Sequence, residues 1–345
     1  MLQTWPVRMQ PPSARTSFGP SPGGCKMTIA GKFVIALEEH YCDNELAATF
    51  QGTEGRAPEV RKRLFDLGEL RLAEMDEAGI DLQVLSHSGP SAQRLDAETA
   101  VRLARGANDR LHQAMQRHPD RFAAFATLPT PEPKAAADEL ERAVTKLGFK
   151  GAMVHGLTNG VFFDDKRFWP VMERAQALDV PIYLHPAVPH PAVIEAYYQD
   201  YVQKFPAITN AAWGFTVETA TAGVRMVLSG AFDAYPNLKI ILGHLGEGLP
   251  FLIWRIDMAL NRFGGTPVRF RDAFNHNFWI TTSGNFSTPA LICSMLEMGV
   301  DRILYSVDWP FVRNMPGTKW MQELQISNED REKILSGNAR RLLKM

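Results

Sequence analysis

Cysteine is nearly missing from this chain: Cys25, Cys42 and Cys293 are the only three in 345 residues. They are too few and too scattered for a disulfide framework or a cysteine-rich zinc site, and they fit a reducing, cytoplasmic setting. Long apolar runs are missing too. No stretch approaches the roughly 18 residues that a membrane span needs. Nor does one sign of charge dominate, with 37 basic against 38 acidic side chains and a formal net charge of −1. Without a broad basic field, nucleic acid is disfavoured as a partner. The first 26 residues hold five prolines and three basic residues, with no acid and no apolar core. A secretory signal needs that core. Residues 1–31 are expected to be a disordered leader or an over-extended start with Met27 as the true first residue, and residues 32–345 one folded domain.

What is there is a rhythm. Short β-rich runs start at "FVIALEEH" (33–40), "IDLQVLSHS" (80–88), "RFAAFATLP" (121–129) and "GFKGAMVHG" (148–156). They continue at "VPIYLHP" (180–186), "LKIILGHLG" (238–246), "NFWITTSGN" (277–285) and "DRILYSVDWP" (301–310). Most are continuous apolar runs, as in parallel strands covered on both faces. Amphipathic segments lie between them. "PEPKAAADELERAVTKLG" (131–148), for example, has prolines and acids at its start and Lys-Leu-Gly at its end. Eight strand-then-helix units predict an α/β protein, a (β/α)8 TIM barrel. A doubly wound open sheet is disfavoured because no strand carries a Gly-rich dinucleotide turn. One long excursion, residues 187–218, separates the fifth strand from its helix; it is rich in aromatics and reads as a lid, a substrate wall or an oligomer contact.

In a barrel of this kind the C-terminal strand ends form the active face. The first strand ends in Glu38-x-His40, the fifth in His185, the sixth in His244 and the eighth in Asp308. Three of the chain's nine histidines, His40, His185 and His244, therefore fall at these particular strand ends. Side chains two apart on a strand share a face, so Glu38 and His40 converge while Glu39 points away, to a structural contact. Singly, each has an ordinary explanation: a hydrogen-bonded strand-end histidine, or Asp308 as the cap of a turn. Together, Glu38, His40, His185 and Asp308 offer two imidazoles and two carboxylates without a thiolate. That set suits Zn²⁺, Mn²⁺ or Fe²⁺ and leaves positions open for substrate or water.

His244 is followed three residues later by Glu247, in "GHLGEGLPFLIWR". A histidine beside a carboxylate is a paired general acid or base. Arg255 could grip a substrate carboxylate bidentately, or be a plain surface arginine. His87, Ser88 and His155 could line a pocket or be structural. Trp309, Tyr41 and Phe311 could stack on a flat ring, although aromatics near a site more often simply pack.

Glu-x-His, "YLHP", "ILGHLGEGLPF" and "YSVDWPF" on the first, fifth, sixth and eighth strands resemble the amidohydrolase superfamily. More narrowly, they resemble its decarboxylase branch, which includes γ-resorcylate, 2,3-dihydroxybenzoate and 5-carboxyvanillate decarboxylases. The resemblance covers residues 32–345. It implies Glu38, His40, His185 and Asp308 as ligands of one divalent ion, Zn²⁺ or Mn²⁺, His244 with Glu247 as a catalytic pair, and Arg255 as a substrate contact. It also implies a homodimer or homotetramer. Binuclear hydrolases of the superfamily begin with His-x-His and place a modified lysine at the fourth strand end. Here Glu38 replaces that first histidine and the fourth strand ends "MVHG". The γ-resorcylate enzymes carry an Asn where this chain reads "LSHSGP", and a longer segment than "GLTNGVFFDDKRF".

The expected function is non-oxidative decarboxylation of a small phenolic or hydroxybenzoic acid, with Asp308 as both ligand and proton donor and His244–Glu247 acting on the phenol. The alternative is a mononuclear metal-dependent hydrolase of a lactone or a carbon–carbon bond.

Overall fold

The computed structural model describes residue 29 and residues 31–49, 57–262 and 266–345. Strand β1 is Ile35–Tyr41, β2 Leu82–His87, and β3 comes in two pieces, Phe122–Ala124 and Ala126–Thr127. β4 is Ala152–His155, β5 Pro181–His185, β6 Lys239–Leu242, β7 Phe278–Thr281 and β8 Ile303–Leu304. Each pairs in parallel with the next. At the break in β3 the ladder continues: Phe125 N–H donates to Leu85 O (2.9 Å) and Ala126 N–H to Gly151 O (2.8 Å). The circuit closes where Leu37 bridges Ser306 and its N–H donates to Tyr305 O at 3.1 Å. Eight parallel strands that return on themselves make the (β/α)8 barrel.

Helices α1 Glu69–Ala78, α2 Ala97–Arg117, α3 Pro133–Leu147 and α4 Trp169–Leu178 follow the first four strands. α5 Gly214–Leu228, α6 Leu249–Arg262, α7 Thr288–Met298 and α8 Asn338–Leu343 follow the others. Their ends obey local chemistry. Asp96 caps α2 by accepting the Thr99 N–H at 2.9 Å, and α3 opens on a proline and stops at left-handed Gly148. Two cores result. Ile35, Leu37, Val84, Phe125, Tyr183 and Ile241 fill the barrel, joined by Ala339, Leu342 and Leu343 at the end of the chain. Ala36, Leu85, Ala124, Val154, Ile182 and Ile240 pack outward against the helices.

Ile29, within the expected leader, is buried in the outer core. Apart from Ile29 and Gly31, the expected leader lies outside the described residues. The β5–α5 excursion ends earlier than expected, because α5 starts at Gly214 rather than after 218. It is built of short turns, Pro191–Val193, Ile194–Tyr198, Gln199–Val202 and Pro206–Thr209. β6 and β8 are shorter than their apolar runs. His244, Leu245 and Glu247 after β6 and Asp308 after β8 take positive φ, which ends the ladder. Among the described residues no helix is long and apolar enough to cross a membrane.

Candidate metal centre

Plain alternation along β1 would have spoiled the site. Ile35 and Leu37 point into the barrel and Ala36 out of it, so counting on in twos sends Glu38 and His40 toward the helices. The register with β2 instead moves from Ala36↔Gln83 to Glu39↔Leu85, which inserts one extra residue into β1. Glu38 absorbs the bulge with φ 57°. His40 then stands opposite Ser86, in phase with inward Val84. Glu38 and His40 do share a face, as the sequence suggests, but a bulge delivers them to it.

On β5, His185 continues the inward phase of Tyr183, and after β8 Asp308 turns in at φ 74°. One ligand atom from each of Glu38, His40, His185 and Asp308 lies within 4.8 Å of all the others. His40 Nε2 is 3.3 Å from Asp308 Oδ1, and His185 Nε2 is 3.3 Å from Glu38 Oε1. Protein–zinc bonds near 2.1 Å place opposite ligands about 4 Å apart, so the set needs little contraction to close on an ion. Glu38 Oε1 and His40 Nε2 are fully buried and make no hydrogen bond, a costly state for polar atoms that a cation would relieve. The residues fit a divalent metal.

The surrounding bonds fix the imidazoles for that task. His185 Nδ1 lies 2.7 Å from the Pro186 carbonyl, which can only accept, so Nδ1 carries the proton and Nε2 is left bare toward the site. His155 Nε2 likewise donates to His87 O (2.7 Å), which leaves its Nδ1 to face His185 Nδ1 at 3.0 Å as acceptor. Burial, then the neighbouring His155, His40 and His244, hold His185 well below the usual histidine range and hence neutral. Glu38 is pushed up by burial, while Tyr183 donates to its Oε2.

His244 bonds to Glu247 at 2.6 Å through Nδ1, and its Nε2 stands 3.9 Å from both Glu38 Oε1 and Asp308 Oδ2. Burial alone would lower His244, but Glu247, Glu38 and Asp308 outweigh it and hold it well above its ordinary value. For Asp308 burial works upward, and the His244 and His40 contacts prevail, so its carboxyl is lowered. The pair is thus an imidazole whose acidic neighbours strengthen its hold on a second proton, next to the candidate ligands.

Not every sequence candidate arrives. Arg255 lies on the solvent side of α6, about 200° around the helix from fully buried Ile253, and no hydrogen bond or ion pair joins it to the site. His87 points outward, edge-on to Tyr41 at 5.3 Å. Trp309 is buried on the helix side under Arg71, whereas Phe311 lies over His40 at 5.5 Å between ring centres. His155, one of the weaker candidates, contacts a candidate ligand directly. Tyr183 was missed: besides Glu38 it meets Thr281 Oγ1 at 2.8 Å. The available signal was its spacing, two residues before His185 on one strand, since a hydroxyl inside a barrel must find a partner.

The chain is also similar to known proteins over nearly all of the described residues. Residues 40–345 match the amidohydrolase family model. A gamma-resorcylate decarboxylase from Polaromonas sp. is 43% identical over 325 residues, covering 90% of this chain and 98% of that protein. A crystal structure of 2,6-dihydroxybenzoate decarboxylase complexed with 2,6-dihydroxybenzoate has a TM-score of 0.83 at 41% identity, covering 91% of this chain and 100% of that one. A dihydroxybenzoic acid decarboxylase from Polaromonas sp., with bound manganese and the inhibitor 2-nitroresorcinol, has a TM-score of 0.83 at 42% identity, covering 91% and 97%.

Proposed function

The chain belongs to the amidohydrolase family, and from that membership we propose a metal-dependent, non-oxidative decarboxylase of small hydroxybenzoic acids, with 2,6-dihydroxybenzoate the first substrate to try. Glu38, His40, His185 and Asp308 would hold one Zn²⁺ or Mn²⁺ ion; bound manganese in a similar decarboxylase supports the latter. Bound there, the ion supplies Lewis acidity and a template for an ortho-oxygenated carboxylate. The observation that carries the reading is the convergence of those four groups, with orphaned buried atoms on two of them, beside the His244–Glu247 pair.

The chain's own residues have two tasks. His244, backed by Glu247, donates from Nε2 to the substrate's phenolic oxygen and favours its anionic form. Asp308, ionised in the free enzyme, takes the phenolic proton and passes it to the ring carbon that bears the carboxylate. That carbon becomes tetrahedral, its bond to the carboxylate breaks, CO₂ leaves, and the electron pair restores the aromatic ring. Asp308 ends ionised and the product leaves as a phenolate that solvent protonates. Without such protonation, loss of CO₂ would leave an unstabilised aryl anion. Metal-assisted hydrolysis asks His244 to be a free base, which its three carboxylate neighbours oppose.

We further propose a homodimer or homotetramer, on the ground that Phe251 and Trp254, 80% and 64% exposed, share the solvent side of α6 with Arg255, and a cytoplasmic setting on the ground of the three scattered cysteines. The test of activity is CO₂ release from 2,6-dihydroxybenzoate, 2,3-dihydroxybenzoate and 5-carboxyvanillate by protein reconstituted with Mn²⁺ or Zn²⁺. Turnover of at least one acid, abolished by chelation, is expected. A panel untouched with both ions restored overturns the reading.

A further inference from the structure

Behind the candidate ligands, on the helix side of the barrel, lies a second set of buried polar groups that the reaction does not use. Glu39, Arg71, Gln83 and Trp309 are all 0% exposed. Glu39 Oε1 accepts the Val307 N–H at 2.9 Å and the Ser306 hydroxyl at 3.3 Å, and Oε2 accepts the Trp309 N–H at 3.2 Å and the Gln83 amide at 3.4 Å. Val307 and Trp309 are the two neighbours of Asp308, whose left-handed backbone (φ 74°) aims its carboxylate at the site. Arg71 donates to the His40 carbonyl (2.6 Å), to Gln83 Oε1 (3.0 Å) and to Asp66 O (2.9 Å), and its guanidinium lies 4.0 Å from the Trp309 ring centre. His40 N–H in turn donates to Trp309 O at 2.7 Å.

We propose that Glu39 and Arg71 are a positioning pair for the metal centre: across the β1–β8 seam they hold the backbone of His40 and of Asp308 at the spacing that one cation requires. Sheet pairing cannot do this alone. Apart from the single bridge at Leu37↔Ser306, β8 has no regular ladder with β1, and β8 itself ends at Leu304. The carbonyls of Tyr305 and Trp309 accept from Leu37 and His40 of β1, but the two amides that flank Asp308, those of Val307 and Trp309, take their bonds from the Glu39 side chain. All four groups around the Glu39 carboxylate are donors, so a carboxamide, which must turn an NH₂ toward some of them, cannot replace it. Gln83 links acid and base by accepting from one and donating to the other. Neither Glu39 nor Arg71 faces the barrel mouth, which separates this role from that of the catalytic groups.

The proposal rests on the metal reading above, and the experiment separates the two. Metal-free protein is titrated with Mn²⁺, free ion being read by electron paramagnetic resonance and folding by near-ultraviolet circular dichroism. Glu39→Gln is expected to bind Mn²⁺ about 10–100-fold more weakly, the range found when groups that orient metal ligands are altered. Should the unpaired Arg71 prevent folding, the double variant Glu39→Gln/Arg71→Met removes the buried charge and is expected to fold, still with weak Mn²⁺ binding. Asn108→Ala is the control for lost stability alone. Asn108 is buried and bonds to Thr127 O (2.9 Å) and Glu139 Oε1 (2.7 Å), remote from the candidate ligands' backbone. It is expected to keep wild-type Mn²⁺ affinity. Wild-type affinity in folded Glu39→Gln or in the double variant overturns the proposal, as does an equal loss in Asn108→Ala. Wild-type protein that binds no Mn²⁺ overturns the metal reading first, and this one with it.

Discussion

Among single residues His244 has the sharpest chemical assignment, because its surroundings decide its charge. Glu247 holds the Nδ1 proton at 2.6 Å, and two further carboxylates stand 3.9 Å from Nε2. Burial works against a second proton, yet those neighbours keep the ring's affinity for it well above the ordinary. A group in that state donates, and an asparagine of similar size cannot reproduce it. His244→Asn is therefore expected to lower kcat on 2,6-dihydroxybenzoate by about 10²–10⁴-fold, the usual worth of general acid–base assistance. Mn²⁺ content should stay at the wild-type level, since the four candidate ligands do not include it. Loss of the metal together with the side chain would make His244 a ligand and refute the assignment.

Elements meet the site through their ends. Directly after β1 the chain enters a short helix, Asn44–Ala47, which Asp43 caps by accepting from Glu45 N–H (3.1 Å) and Leu46 N–H (3.0 Å). Arg110 of α2 grips the same carboxylate at 2.6 and 2.8 Å, tying the exit of the ligand strand to an outer helix. Burial would raise the Asp43 carboxyl, but the Arg110 and Leu46 bonds prevail and lower it. A carboxyl lowered on folding stabilises the protein above the unfolded value of about 3.9 and loses that contribution as pH falls through the folded value. Arg110→Ala should accordingly cost about 1–2 kcal/mol at pH 7, discounted because Arg110 is 39% exposed. The deficit should shrink as pH falls below 4. Urea unfolding at a series of pH values measures it, and a deficit that does not change with pH would refute the argument.

At the scale of the whole molecule, the barrel's inner core is finished by residues from the far end of the chain. Leu342 is 4% exposed and packs in the inner core with Ile35, Leu37 and Tyr183, although some three hundred residues separate it from the first two. The last helix is thus part of what keeps the strands, and their polar ends, at fixed spacing. Leu342→Ala is expected to destabilise the protein by about 2–5 kcal/mol through lost burial and the cavity left behind. Urea denaturation checks this; a cost below about 1 kcal/mol would mean that the helix contributes little to the core.

Much of this was legible in the order of residues. Eight apolar runs answered by amphipathic segments imply a barrel, because strand burial and helix capping are decided within a few residues of the chain. Polar groups at the ends of such runs, Glu38, His40, His185, His244 and Asp308, announce themselves by interrupting apolar stretches. What only the tertiary structure decided concerns direction. The bulge at Glu38 turns two acids and a histidine to opposite sides, and it exists only against the register of β2. Tyr183 became the partner of Glu38, and Arg255 turned to solvent, through the rotation of a strand and a helix about their own axes. Those rotations are set by contacts between segments far apart in sequence, and no local pattern of residues encodes which way a side chain will face once the barrel has closed.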